Sequence, residues 1–297
     1  MPEKVEGFCE PRIVRIRSVE EMSAIENLQK EIWGYGKRGF DSIYPARALF
    51  SFSESGGLVA GAVFRGRLVG FSVSWIGRME DSGEFYLQSQ LLGVLNDFRG
   101  LDIGYRLKLF QREFAVSRNI TRIRWTFDPI QLPNARLNLH KLGAVCRRFR
   151  PDYYGNLRSS LVHGSSDRLW AEWFVSSPRV IRRLANCAEE SPLQSAHRVI
   201  RCESRTYGEL ALRVPVDLDR SLDSSEVLIE IPSLLPEIVK RDRPLLEEWR
   251  SAIREALDCY LDCGYIIDDL SKSPAEGDGG DLHFYHLTRQ KLEEVLG

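Results

Sequence analysis

The sequence predicts an α/β protein of the α+β type, with a mixed central sheet in a larger first domain and a smaller α/β domain behind it. Three observations predict it. Alternating and helix-period patterns succeed one another through the first part of the chain in the order strand, two helices, three strands, helix, strand, helix, strands. Arg65-Gly66-Arg67 is a hairpin signal that makes the middle strands antiparallel. The last third of the chain repeats a simpler layout of strand, helix, strand and strand. The expected boundaries are 1–176 for the first domain, 177–200 for a helical or loop connector, and 201–297 for the second, a possible half-repeat of the first.

The elements follow from local pattern. PRIVRIRSV alternates as a strand, and VEEMSAIENLQKEIWG sets Met22, Ile25, Leu28 and Ile32 at helical spacing. GYGKRGF is a loop, and Pro45 opens a second short helix. GGLVAGAVFRGRLVGFSVSWIG gives two strands, and GEFYLQSQLLGVL gives the fourth. A turn and an amphipathic helix follow, with Ile103, Leu107, Phe110 and Phe114 on its apolar face. TRIRWTFDP is the fifth strand, ended by Pro129. PNARLNLHKLG is a short helix with Pro133 near its start and Gly143 at its end. AVCRRFRPDYYG and DRLWAEWFV are closing strands. Later, EVLIEIPS is a strand. A long helical stretch, interrupted near Pro244, is capped by Gly264, and YIIDDLSKS and LHFYHLTR are strands.

The 297 residues are 43% hydrophobic and 28% charged, a soluble globular balance with room for a sizeable core. The formal net charge of -1 gives no global field toward nucleic acid or anionic membrane. No apolar run approaches the roughly 18 residues of a spanning helix, and the charged N-terminus lacks an apolar signal core. A cytoplasmic protein is expected, so its six cysteines are expected to be free thiols. Cys259 and Cys263 with His283 and His286 look loosely zinc-like. HFYH reads as a strand, however, and strand residues three apart face opposite sides, so no metal is predicted. The basic run RRFR, 147–150, reads as a solvated strand edge.

The stretch FRGLDIGYRLKLFQREFAV carries the chemistry. A strand-to-helix junction presents backbone N–H groups and the positive end of a helix dipole, where anions bind. Gly100 and Gly104 allow close backbone approach, and Arg99 supplies a cation suited to phosphate. No Gly-Lys-Ser/Thr follows, and the dinucleotide spacing is absent. A tight turn with ordinary capping would read the same way.

Here the sequence resembles the GNAT superfamily of CoA-dependent N-acyltransferases. The family loop, R/Q-x-x-G-x-G/A, is matched at its first and last positions by Arg99 and Gly104. VLNDFRG leads into it, and Asn134-Ala135 through Lys141-Leu142-Gly143-Ala144 follow the fifth strand. The wider run of LLGVL, IGYRLKLFQRE, WTFDP, NARLNLHKLGA and YYG, with EIP, WR, GY and FY further on, resembles one bacterial and archaeal branch across most of the chain.

The resemblance implies a GNAT fold whose fourth and fifth strands splay apart around the pantetheine arm of an acyl-CoA, acetyl-CoA by default. Leu92 and Val94 would give backbone groups to that arm. Arg99, Gly100, Asp102, Ile103, Gly104 and Tyr105 would hold the pyrophosphate, and Asn134 and Asn138 would approach from the other side, Asn138 equally as a capping amide. A neutral amine would attack the thioester carbonyl directly. That chemistry needs a proton acceptor, an oxyanion donor and a donor for the thiolate. The Leu92 amide would be the oxyanion donor. Glu84 is a possible base, with Tyr86, Gln88 and Gln90 continuing its polar face, or else an exposed strand-start residue. Asp128 is a second candidate base or a turn residue. The family's tyrosine acid falls on Leu139, its neighbour His140 reads as a surface residue, and Tyr154 is the remaining phenol or a core ring. Arg47 could pair with an acceptor carboxylate or simply be solvated.

Asp102 departs from the family's glycine. At about 5 Å a carboxylate and one phosphate charge repel by about 3 kcal/mol at an effective dielectric of 20, less when solvated. Arg99, Arg106 or Lys108 could offset this. The implied activity is acyl transfer to the amine of a small molecule, such as an amino acid, with a possible homodimer and no nucleic-acid or membrane partner. The alternative is a GNAT-fold ligand-binding or interaction protein of weak activity.

Overall fold

The computed structural model describes residues 10–34, 43–155, 165–187, 196–221, 223–274 and 281–297. It is a mixed α/β protein that separates into two compact units. The first runs to Ile123, and the second takes the chain from Arg124 onward, apart from a short stretch outside the described residues.

In the first unit, β1 (Arg12–Arg15), β2 (Leu58–Phe64), β3 (Arg67–Arg78) and β4 (Phe85–Val94) form an antiparallel meander in chain order. The β2–β3 turn has Arg65 and Gly66 both at positive φ, 49° and 79°, the geometry that matches strand twist in two-residue hairpins. Helix α1 (Val19–Trp33) starts at a capping box of Ser18 and Glu21 and ends at left-handed Gly34. Its predicted apolar face is buried at Met22, Ile25, Leu28 and Ile32. Helix α2 is Ala46–Glu54 and α3 is Ile103–Val116. Gly70 lies against Ile103 of α3, while the next residue, Phe71, meets Trp33 of α1. Successive strand residues face opposite sides, so α3 covers one face of the meander and α1 the other.

The second unit orders its strands β5 (Arg122–Phe127), β7 (Arg168–Phe174), β6 (Val145–Arg150), β12 (Ile266–Pro274), β13 (Asp281–Thr288), β11 (Glu226–Ile231) and β8 (His197–Arg198). Pairing from β7 through β11 is antiparallel, and β8 joins β11 in parallel. Between β5 and β6 lie α4 (Leu132–Ala135) and a π-helical turn, Arg136–Lys141. Helix α5 is Pro178–Leu184 and α6 is Leu235–Arg241. Asp242 ends α6 and caps α7 (Arg243–Asp262) by accepting from the Leu245 N–H at 2.9 Å, which places the predicted break next to Pro244. Helix α8 is Leu292–Leu296.

The boundary between the two units falls after Ile123, and within the second β6 pairs with β12 and α7 packs along β6. The chain through 200–218, left unassigned from sequence, is a hairpin of β9 (Ile200–Tyr207) and β10 (Leu210–Leu218) turning at Gly208.

Candidate active site

In the first unit the end of β4, the turn after it and the start of α3 form one backbone surface. The Leu95 N–H donates to Val69 O at 2.9 Å. In an antiparallel ladder alternate residues bond to the same neighbour, so Gly93 also bonds toward β3, while Leu92 and Val94 turn their N–H and C=O away from it. A bulge at Gln90, between the pairs Val73–Leu91 and Ser74–Ser89, sets that phase.

The strand leaves Val94 through a tight turn at Asn96–Phe98, where Phe98 meets Phe64 edge-on at 5.4 Å. Arg99 is extended and exposed. Gly100 has φ of 83°, a conformation that disfavours any side chain although a Cβ there would meet nothing. Asp102 is also left-handed, at φ 52°, and its side chain makes no capping bond to α3. The first intrahelical bond is Arg106 N–H to Asp102 O, 2.9 Å. The N–H groups of Ile103 and Gly104, ahead of that bond, belong to the first turn of the helix, whose N–H groups face its open end. Leu92, Val94 and Arg99 through Tyr105 thus lie on consecutive elements of the first unit.

The cations proposed beside Asp102 are placed differently. Arg106 pairs with Glu10 at 3.4 Å. Lys108 is only 3% exposed and points under the helix, donating to Ser89 Oγ at 2.9 Å, while Ser89 donates to Gln111 Oε1 at 3.0 Å. Burial holds the Lys108 amine well below the usual lysine range. The buried face of α3 therefore runs through Ile103, Leu107, Lys108, Gln111 and Phe114, not through Phe110. Arg99 is exposed at the loop.

Glu84 sits just before β4, exposed, within 3.8 Å of Arg122. Eight residues of strand separate it from Leu92, roughly 26 Å at ~3.3 Å per residue. The structure does not bring these two together. Tyr86 packs over Gly77, and the bulge takes Gln90 out of the alternation. Gln90 donates instead to Tyr44 Oη at 3.2 Å, inside an aromatic group of Tyr44, Phe52 and Trp75. Tyr44 had no signal in the sequence beyond its nearness to Pro45. Arg47 is exposed on α2.

The remaining candidates belong to the second unit. Asp128 is buried and takes both nitrogens of Arg250 at 3.1 and 3.3 Å, while also accepting from the Ile130 N–H. The turn reading of Asp128 holds, since Ile130 N–H and Gln131 N–H both bond back to it, while its pairing with Arg250 turns the carboxylate from a free base into an anchor for α7. Tyr154 is 42% exposed and is not a core ring, and its Oη lies 3.4 Å from Thr126 Oγ1. Asn134 is exposed, whereas Asn138 and Leu139 are buried in the helical turn. His140 is not a free surface residue: its Nδ1 lies 3.6 Å from Asp269, which Arg183 also pairs.

Cys146, Cys187, Cys202, Cys259 and Cys263 are free thiols; Cys9 lies outside the described residues. His283 bonds Ser233 at 2.9 Å and His286 bonds Asp268 at 2.7 Å, and no cluster able to hold a metal occurs among the described residues. No helix among them is long and apolar enough to cross a membrane.

No family model and no curated protein matches the sequence. The chain is similar to several solved structures. One is the ribosomal-protein-S18-alanine N-acetyltransferase from Escherichia coli, at 13% identity and a TM-score of 0.44 over 56% of this chain and 94% of that one. Another is Arabidopsis thaliana Naa50 in complex with a bisubstrate analogue, at 16% identity and 0.42 over 55% and 97%. A third is aminoglycoside 6'-acetyltransferase type Ii, at 17% identity and 0.42 over 55% and 97%.

Proposed function

We propose that this protein is an acyl-CoA-dependent N-acyltransferase that moves an acetyl or other short acyl group to the amine of a small molecule. The observation that carries the reading is the backbone of β4, the turn and α3. Strand amides turned away from β3 lead directly into a glycine turn and an open helix start, with Arg99 exposed beside it. Such a surface suits an extended amide-bearing arm followed by a diphosphate.

In this reading Leu92 and Val94 pair with the pantetheine arm, and Arg99, Gly100, Asp102, Ile103, Gly104 and Tyr105 surround the pyrophosphate. The amine attacks the thioester carbonyl, the Leu92 N–H receives the oxyanion, and collapse breaks the C–S bond. Neither Glu84 nor Asp128 fits the role of base, the first by distance and the second by its bond to Arg250. The ammonium proton passes to water. The departing thiolate likewise takes its proton from water. The polar groups of Gln90 and Tyr44, next to Leu92 on β4, are the proposed surroundings of the acceptor amine.

Melting curves with acetyl-CoA test the proposal. Acetyl-CoA is expected to raise the Tm, and Asp102→Asn, which keeps the left-handed backbone and removes the charge, is expected to enlarge the shift. No shift with any acyl-CoA at millimolar concentration would sink the enzyme reading. A shift without acyl transfer to any of a panel of amines would favour a ligand-binding protein.

A further inference from the structure

The second unit carries a cross-strand contact that the acyltransfer reading does not use. Arg150 of β6 stands directly opposite Arg168 of β7, and Arg148 stands opposite Trp170. Directly opposed residues of an antiparallel pair share one face with side chains in contact range, and like charges there repel. The nearby acids are committed elsewhere. Glu172 accepts from Arg147 at 2.8 Å, and Asp152 and Asp167 both accept from Arg254. Arg168 gives one N–H to the Asp167 carbonyl, 2.7 Å, and no ion pair involves Arg148, Arg150 or Arg168 among the described residues.

Aromatic rings lie among these cations. Arg124 sits 4.6 Å over the Trp170 ring, Tyr153 meets Trp170 edge-on at 5.7 Å, and Arg168 lies 5.2 Å from the Tyr154 ring. Tyr153 and Tyr154 are 39% and 42% exposed, and Arg148 and Arg150 are exposed beside them. A surface that opposes two arginines and leaves large rings in water is destabilised on both counts until an anion and a flat apolar group cover it.

We infer that this face of β5, β7 and β6 binds a small aromatic anion, its carboxylate or phosphate between Arg150 and Arg168 and its ring against Trp170, Tyr153 and Tyr154. The patch spans two strand spacings, about 10 Å, which fits one ring and one anionic group. A nucleic-acid strand needs a longer basic track.

Phenyl phosphate, titrated calorimetrically into the full chain without acyl-CoA, tests the inference independently of the acyltransfer reading. Saturable binding is expected. The exposed double variant Arg148→Gln/Arg150→Gln and the variant Arg168→Gln should each weaken it at least about tenfold, the scale of a charge-assisted hydrogen bond. Trp170→Leu should weaken it too, and Arg201→Gln on β9 should leave it unchanged. Absence of saturation at millimolar phenyl phosphate would overturn the inference. So would equal binding of benzyl alcohol, equal binding of inorganic phosphate, equal loss in Arg201→Gln, or tighter binding of oligothymidylate than of phenyl phosphate.

Discussion

Lys108 donates to Ser89 Oγ at 2.9 Å from beneath α3, one residue before the bulge in β4. An amine in that position is disfavoured as a cation, and its folded-state pKa lies well below the unfolded value of about 10.4. Protons therefore bind more readily to the unfolded chain, and this site gains stability as pH rises from the depressed folded pKa toward the unfolded one. Lys108→Met is expected to be more stable than the parent at neutral pH, with the gap closing by pH 10. Urea denaturation at several pH values checks this; a gap that does not change with pH would mean the amine stays charged in the fold.

Asp102 occupies a left-handed position, which costs an ordinary L-residue about 1 kcal/mol, less for Asp or Asn. Asp102→Gly should raise stability by up to ~1 kcal/mol without ligand, while Asp102→Asn should change it little. Both should enlarge the acetyl-CoA shift by similar amounts, because both remove the charge. Melting with and without acetyl-CoA separates backbone strain from repulsion.

The Asp128–Arg250 pair is buried on both sides. Removing one partner leaves an uncompensated charge, so Asp128→Ala and Arg250→Met should each destabilise by about 3–5 kcal/mol. The double variant should lose clearly less than the sum. A double-mutant cycle in urea measures the coupling, and additivity would show that the pair contributes nothing.

Burial lowers the affinity of His286 for its proton, but the hydrogen bond and charge of Asp268, with Glu226 and Asp269 further off, outweigh it and raise the pKa. A raised folded pKa contributes stability that is full below the unfolded value, about 6.5, and fades as pH rises through the folded one. His286→Gln should therefore cost most near pH 6 and progressively less above the folded pKa. A cost independent of pH would assign the residue a packing role alone.

Elements with strong local signals were legible. Helix α1 announced itself through the helical spacing of Met22, Ile25, Leu28 and Ile32, and the β2–β3 hairpin through Arg65-Gly66-Arg67. The face of α3 was misread because Lys108 and Gln111 are polar residues satisfied inside, a fact fixed by Ser89 on another element. The β9–β10 hairpin escaped notice because β9 is polar and largely exposed, although Leu210, Leu212, Val214, Val216 and Leu218 alternate along β10. At the candidate site, the glycine turn and helix start could be read from spacing. The bulge at Gln90, its bond to Tyr44 and the capture of Asp128 by Arg250 could not, since each depends on a partner far along the chain.

The way α7 holds the start of its own unit has a consequence for how this chain can be dissected. Arg250 and Arg254 reach back to Asp128, Asp152 and Asp167, and Tyr285 donates to the Pro129 carbonyl at 2.6 Å. A fragment cut near residue 176 would strand two buried carboxylates and expose the flank of β6 that β12 covers. The carboxy-terminal third is thus no detachable module: inheritance, truncation or grafting of the strands from β5 to β7 has to carry it along.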